Sequence, residues 1–390
     1  MTDTWWVKQG QLDPHQKNVF TLSTSDDHLV KGPPGSGKTN LLLLRGKQLI
    51  GSNIPNIVVV VHTRTLQEFI RSGAHNYGIP AGKIVTFRKL GTELLYRVGA
   101  PVTLPSGFDA SREVLVDALQ DQIDAGRIHQ EHSCVLVDEA QDFLPGEIAI
   151  LRTLGERFFG VADSRQKIYK GQDSIKKLEK EINTVKLPFH YRNGHKICIV
   201  ADGLAKEVTG EPTLLETSKY PEAKLESTVE RLPFNTLDEQ CDELIERLDT
   251  QIKAYPGELI GIACPRGEDL VPVVDRLRNS EFADQLIVQT SDDGYEAFDP
   301  DKSVCVSKLH SAKGLEFRAF HILAAEGLKK FPLQRELTFM GVTRAKTSLC
   351  IYHSADLPSY LEGALSKLNP DTPLVGIDAL LEADDEEGED

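Results

Sequence analysis

The sequence predicts an α/β protein built on two parallel sheets, one in each half of the chain. Three observations carry that reading. Short β-branched apolar runs of buried-strand length alternate with helical stretches. The runs are continuously apolar rather than alternating, as strands covered on both faces are. The whole pattern then recurs after residue 225.

In chain order, the first set of strands is read at "HLVKG", "NIVVVV", "KIVTF", "SCVLVD" and "RFFGVAD". Helical segments such as "TNLLLLRGKQLI" and "SREVLVDALQDQI" lie between them. The second set is "ELIGIAC", "SVCVSKL", "AFHILAA" and "SLCIYHS", again separated by helices. The junction falls near "KLPFHYRNG", residues 186 to 194, and the stretch 206 to 235 is Pro- and Thr-rich and less regular. This gives one domain over 1–188, a second over 189–375, and an acidic tail over 376–390 expected to be disordered.

Composition sets limits. The 390 residues suffice for two cored domains, and no apolar run approaches bilayer-spanning length. The start, "MTDTWWVKQGQLD", lacks the basic and apolar regions of a secretory signal, so a cytoplasmic protein with no membrane partner is expected. The six cysteines are scattered and form no C-x-x-C pair, which argues against a zinc site or a disulfide framework. Net charge is −15, of which the last nine residues, "EADDEEGED", supply seven acids. That balance disfavours broad non-specific nucleic-acid binding without excluding a local basic groove.

"GPPGSGKT", Gly32 to Thr39, fits G-x-x-x-x-G-K-[ST], follows a strand and opens an apolar helix. It predicts a P-loop NTPase. Gly32, Gly35, Ser36 and Gly37 form the phosphate cradle, Lys38 reaches the β- and γ-phosphates, and the Thr39 hydroxyl ligates magnesium. Downstream, "CVLVDEAQDF" ends a buried strand in Asp138 and Glu139. Asp138 is the second magnesium residue and Glu139 the base for the attacking water. ATP and Mg2+ are therefore expected.

With "DEAQD" in place, most of residues 11 to 352 resemble superfamily 1 DNA helicases of the UvrD/Rep type. "LHSAKGLEF" at 309–317 looks like that family's motif V, and "EGLKKFPLQRELTFMGVTRAKTSLCIY" at 326–352 resembles motif VI. The resemblance implies two RecA-like parallel-sheet domains in tandem. By the same resemblance, Gln16 in "LDPHQ" recognises adenine. Tyr191 and Arg192 in "HYRNG" stack on the base and reach the γ-phosphate. Arg344 in "GVTRA" completes the phosphate shell, Gly314 approaches phosphate and Glu316 bonds the ribose. "ADSRQKIYKG" matches motif III, with Gln166 sensing the γ-phosphate beside Asp163, and Tyr169 touching the strand. His62, Thr63, Thr86 and His310 are the remaining implied nucleic-acid contacts.

Departures from the family pattern qualify this. Only about 45 residues separate "VTF" from "CVLVDEAQD", so the accessory insertions look reduced or missing. Motif III has Gly171 in place of a stacking Trp, and Asn40 stands where the family often has Arg. The implied activity is an ATP-dependent translocase or helicase of 3′→5′ polarity on single-stranded DNA, with RNA left open. The alternative is an ATP-driven switch subunit working with a nuclease or other protein partner in DNA repair or anti-phage defence.

Overall fold

The computed structural model describes residues 5–163, 174–205, 212–290, 294–330 and 334–369. The first sheet holds β1 (His28–Lys31), β2 (Ile57–Val61), β3 (Ile84–Thr86), β4 (Cys134–Val137), β5 (Phe158–Ala162) and β6 (Asn183–Lys186). Their order is β3-β2-β4-β5-β1-β6, and every pairing is parallel. Because β4, β5 and β1 are neighbours, the segments that follow them leave the sheet side by side. Ligands of such sheets gather at these C-terminal strand ends.

The second sheet holds β7 (Thr228–Pro233), β8 (Ile260–Cys264), β9 (Leu286–Gln289), β10 (Val304–Lys308), β11 (Phe317–Ile322) and β12 (Ala345–His353). Its order is β7-β12-β11-β8-β10-β9, again parallel throughout. The α/β class with two parallel sheets is thus as the sequence predicts.

Three strands escape the sequence pattern: β6, β7 and β9. All three are sheet edges. An edge strand has a neighbour on one side only and tolerates polar side chains, so "NTVK" and "TVERLP" show no buried position. β9 is buried but only four residues long. The central strands β2, β4, β5 and β8 are buried along their whole length.

The stretch between β3 and β4 builds no separate domain. It forms the helices Phe87–Arg97 and Phe108–Asp124. These pack directly together: a Cβ on Gly91 would come within 2.9 Å of Leu119. Leu90, Leu94, Leu115 and Leu119 then join the core under the sheet. The two halves also share apolar core. One buried cluster runs from Val59 and Leu66 through Phe69 to Phe298, Leu309 and Leu315. No helix of the described residues is long and apolar enough to cross a membrane.

Candidate nucleotide site

Gly32–Thr39 leaves β1 and opens the helix Lys38–Gly51. Gly35 and Gly37 take φ of 77° and 81°, the left-handed region that side chains avoid. Space demands glycine as well: a Cβ on Gly35 would lie 2.5 Å from the Arg192 Cβ, and one on Gly32 would meet the Ser36 hydroxyl at 2.5 Å. Lys38 Nζ donates to the Gly32 and Pro33 carbonyls at 2.9 and 2.8 Å and pairs with Asp163 at 3.3 Å. The ammonium is thus folded over the loop, where phosphate oxygens would compete for it.

The Thr39 hydroxyl donates to Asp138 Oδ2 at 2.9 Å. This brings together two oxygen donors, from the start of the helix Lys38–Gly51 and from the end of β4, the hard-ligand set that suits magnesium. Burial, then the neighbouring Glu139, pushes the Asp138 carboxyl up to about 7. Burial alone would raise Glu139 too, but Lys313, Lys38 and Arg344 outweigh it and hold Glu139 below the usual carboxylate range. One of the two adjacent acids therefore stays ionised at neutral pH, and it is the one predicted to act as base.

Glu139 is also held in place. Its backbone has φ 51°, a left-handed conformation rare outside glycine and one that costs on the order of 1–3 kcal/mol. Its carboxylate accepts from Gln141 Nε2, and Gln141 Oε1 accepts from the Asp163 N–H at 2.9 Å. Gln141 thereby ties the end of β4 to the end of β5.

The other half contributes Arg192, Gly314, Glu316 and Arg344, which line the same cleft as Pro34, Gly35, Lys38, Thr39, Glu139 and Asp163. Arg344 is 1% exposed and gripped by the Met340 and Leu315 carbonyls at 3.0 and 3.1 Å. Burial, then Arg192, lowers it to about 10, so it keeps its charge at neutral pH. Arg192 pairs with Glu316 and donates to the Thr343 carbonyl at 3.2 Å. The two residues expected to contact γ-phosphate and ribose are thus each other's partners here. Asn193 clamps the linker to the second half through the Thr343 and Ala345 carbonyls at 3.0 and 2.6 Å.

Gln16 and Tyr191 frame the outer end. Gln16 Nε2 donates to the Ser36 carbonyl at 3.1 Å and its Oε1 accepts from the Asp13 N–H at 3.1 Å. The Tyr191 hydroxyl donates to Asp13, and the Tyr191 N–H donates to the Gly35 carbonyl at 3.0 Å. The Tyr191 ring is exposed, as a base-stacking surface must be.

The expected strand contacts sit at neighbouring strand ends. Thr63 follows β2 and caps the helix Arg64–Gly73, accepting from the Leu66 N–H at 3.2 Å. Thr86 ends β3 and caps the helix Phe87–Arg97, accepting from the Lys89 N–H at 3.3 Å. Both threonines therefore have a structural task that the sequence reading did not foresee. His62 packs edge-on against Phe143 at 5.6 Å. Burial, then Arg112 and Lys313, holds its imidazole well below the ordinary value, so it is neutral at pH 7. His310 is exposed. Gln166 and Tyr169 lie outside the described residues.

Sequence reasoning missed the partner of Asp142. Lys313, from the "SAKG" of the second half, donates to Asp142 Oδ1 at 2.8 Å, with both side chains almost fully buried. Arg112 supports the same spot, donating to the Asp142 carbonyl at 2.7 Å and to Glu147 at 3.0 Å. Both ends of the pair lie inside motifs already singled out, and that was the available signal. Asn40 was noted only as a departure. It bonds the Trp5 carbonyl at 3.0 Å, the Val7 N–H at 3.1 Å and the Tyr77 hydroxyl at 2.7 Å. It thus pins the N-terminal segment beside the cleft.

No family model and no curated protein matches the chain. Among solved structures it is similar to the arterivirus nonstructural protein 10 helicase, at 16% identity and a TM-score of 0.41, covering 90% of this chain and 63% of that one. The complex of that helicase with DNA gives 16%, 0.40, 90% and 65%. The PRRSV helicase gives 14%, 0.39, 88% and 57%. The chain thus spans less than two thirds of each. Its own residues carry the functional argument.

Proposed function

We propose that this chain is a superfamily 1 motor that hydrolyses ATP between two RecA-like halves and moves on single-stranded DNA. One observation carries the reading: Lys38, Thr39 and Glu139 from the first half line a single cleft with Arg192, Glu316 and Arg344 from the second. Phosphoryl transfer asks little of a protein beyond positioning and charge, and that set supplies both.

In this reading the P-loop amides and Lys38 hold the β- and γ-phosphates. Thr39 and Asp138 would hold magnesium, which neutralises charge on the phosphate oxygens. Glu139, fixed by Gln141, orients the attacking water and accepts its proton. Arg192 leaves Glu316 for the γ-phosphate, which frees Glu316 for the ribose. Arg344 adds charge stabilisation from the same half. Closure then depends on the γ-phosphate, and hydrolysis relaxes it. The strand would run past Thr63, Thr86 and His310, with the 3′→5′ polarity that the resemblance implies.

ATP turnover by the purified chain with and without single-stranded DNA or RNA tests this. Stimulation by a strand is expected, and Lys38→Ala and Glu139→Gln should abolish turnover. Absence of stimulation by every strand tried would sink the motor reading.

One observation favours a second reading. The β3–β4 connection, where helicases of this type carry an accessory domain, is only two helices packed on the sheet. An ATP-driven switch subunit that unwinds little alone, and works with a protein partner, fits such a minimal core. Processive unwinding by the isolated chain would contradict it.

A further inference from the structure

We propose that Trp5 is a nucleotide-binding residue, whose indole N–H donates to an acceptor oxygen of the bound nucleotide. This rests on the nucleotide reading above and deepens it. Trp5 lines the cleft together with Lys38, Thr39, Asn40, Gly314 and Glu316. Its ring is 8% exposed, and its Nε1 is buried with no acceptor among the described residues. A buried indole N–H normally finds a partner.

The position is built rather than accidental. Asn40, the residue directly after Thr39, holds the Trp5 carbonyl and the Val7 N–H, the groups on either side of Trp6. The Tyr77 hydroxyl fixes the Asn40 side chain in turn. The Trp5 ring then packs edge-on against Trp6 and Phe69, with centroids 4.4 and 4.5 Å away. Phe69 touches Phe298 of the second half at 5.2 Å. The indole is therefore held in orientation beside the cleft that both halves line, which is what a single directional hydrogen bond needs. The acceptor chemistry is an oxygen, from either a ribose hydroxyl or a phosphate, since Glu316 and Lys38 border the same space.

The test is isothermal titration of Mg-ADP into the full chain and into Trp5→Phe, which keeps an aromatic ring and removes the N–H. Affinity should fall about three- to tenfold, the net effect of one hydrogen bond, while the melting temperature holds or rises. Titration with Mg-pyrophosphate separates the two sources: the loss persists if the acceptor is a phosphate oxygen and disappears if it is ribose. Since Trp5 and Trp6 are the only tryptophans in the chain, Trp6→Phe leaves Trp5 as the sole indole emitter. Its fluorescence should shift on adding Mg-ADP. Equal Mg-ADP affinity in wild type and Trp5→Phe, or an unchanged Trp5 emission in Trp6→Phe, overturns the inference and leaves the nucleotide reading standing. A wild type that binds no Mg-ADP overturns both.

Discussion

Asp142 and Lys313 stand 171 residues apart in the chain and 2.8 Å apart in space. A buried ion pair contributes little over an apolar pair of the same shape, but breaking one side leaves an uncompensated charge. Burial pushes the Asp142 carboxyl up to about 7 even against the downward pull of Lys313. Lys313→Met is expected to destabilise the protein by about 3 kcal/mol in urea unfolding, and Asp142→Asn added to it should recover part of that loss. Additive single effects would deny that the two residues act as a pair. No local pattern could have foretold this contact. Lys38, Thr39, Asp138 and Glu139 were legible because each belongs to a short motif at a strand end. The Asp142–Lys313 pair joins two motifs across the fold, and a sequence without partners cannot say which motifs touch. Trp5 was illegible for the same reason, since its place is set by Asn40 and Phe69.

Strand ends and helix starts are where the elements do two jobs. Thr63 just beyond β2 and Thr86 at the end of β3 each cap a helix, so substitution mixes stability with any strand contact. Loss of an N-cap hydroxyl costs about 1 kcal/mol. Thr86→Ser should keep the cap and melt near wild type, whereas Thr86→Val should lose roughly that amount in chemical unfolding. Equal stability of the two would show that the cap contributes nothing. The second sheet carries a separate pH dependence. His321 on β11 is fully buried, with ring nitrogens within 2.9 Å of the Tyr352 hydroxyl and 2.8 Å of Gln251 Oε1. Burial, then Arg247, lowers its pKa to about 3. Its native value lies below its unfolded one, so its stability contribution is present above about pH 6.5 and is lost as pH falls toward 3. Between pH 7.5 and 5 that amounts to about 2 kcal/mol. His321→Gln should flatten the acid limb of a urea-unfolding pH profile; a slope unchanged from wild type would contradict the assignment. The central strands were readable from their buried runs. β6 and β7 were not, because half-covered edges carry the polar residues that mark loops.

At the scale of the whole molecule, two parallel sheets face one cleft and share an apolar cluster through Phe69 and Phe298. The linker holds both sides, with the Tyr191 N–H on the Gly35 carbonyl and Asn193 on the Thr343 and Ala345 carbonyls. The linker therefore touches both the phosphate loop and the second half. The central claim is that catalysis needs charge from that second half, and Arg192 tests it most directly. Its side chain borders Gly35, bonds Glu316 and donates to the Thr343 carbonyl. The decisive measurement is the ATP turnover rate of Arg192→Ala beside its Mg-ADP affinity. The account predicts turnover reduced by about 10³-fold or more, as for loss of a phosphate-stabilising arginine, with Mg-ADP affinity within a few-fold of wild type. Turnover at the wild-type rate in Arg192→Ala would contradict it.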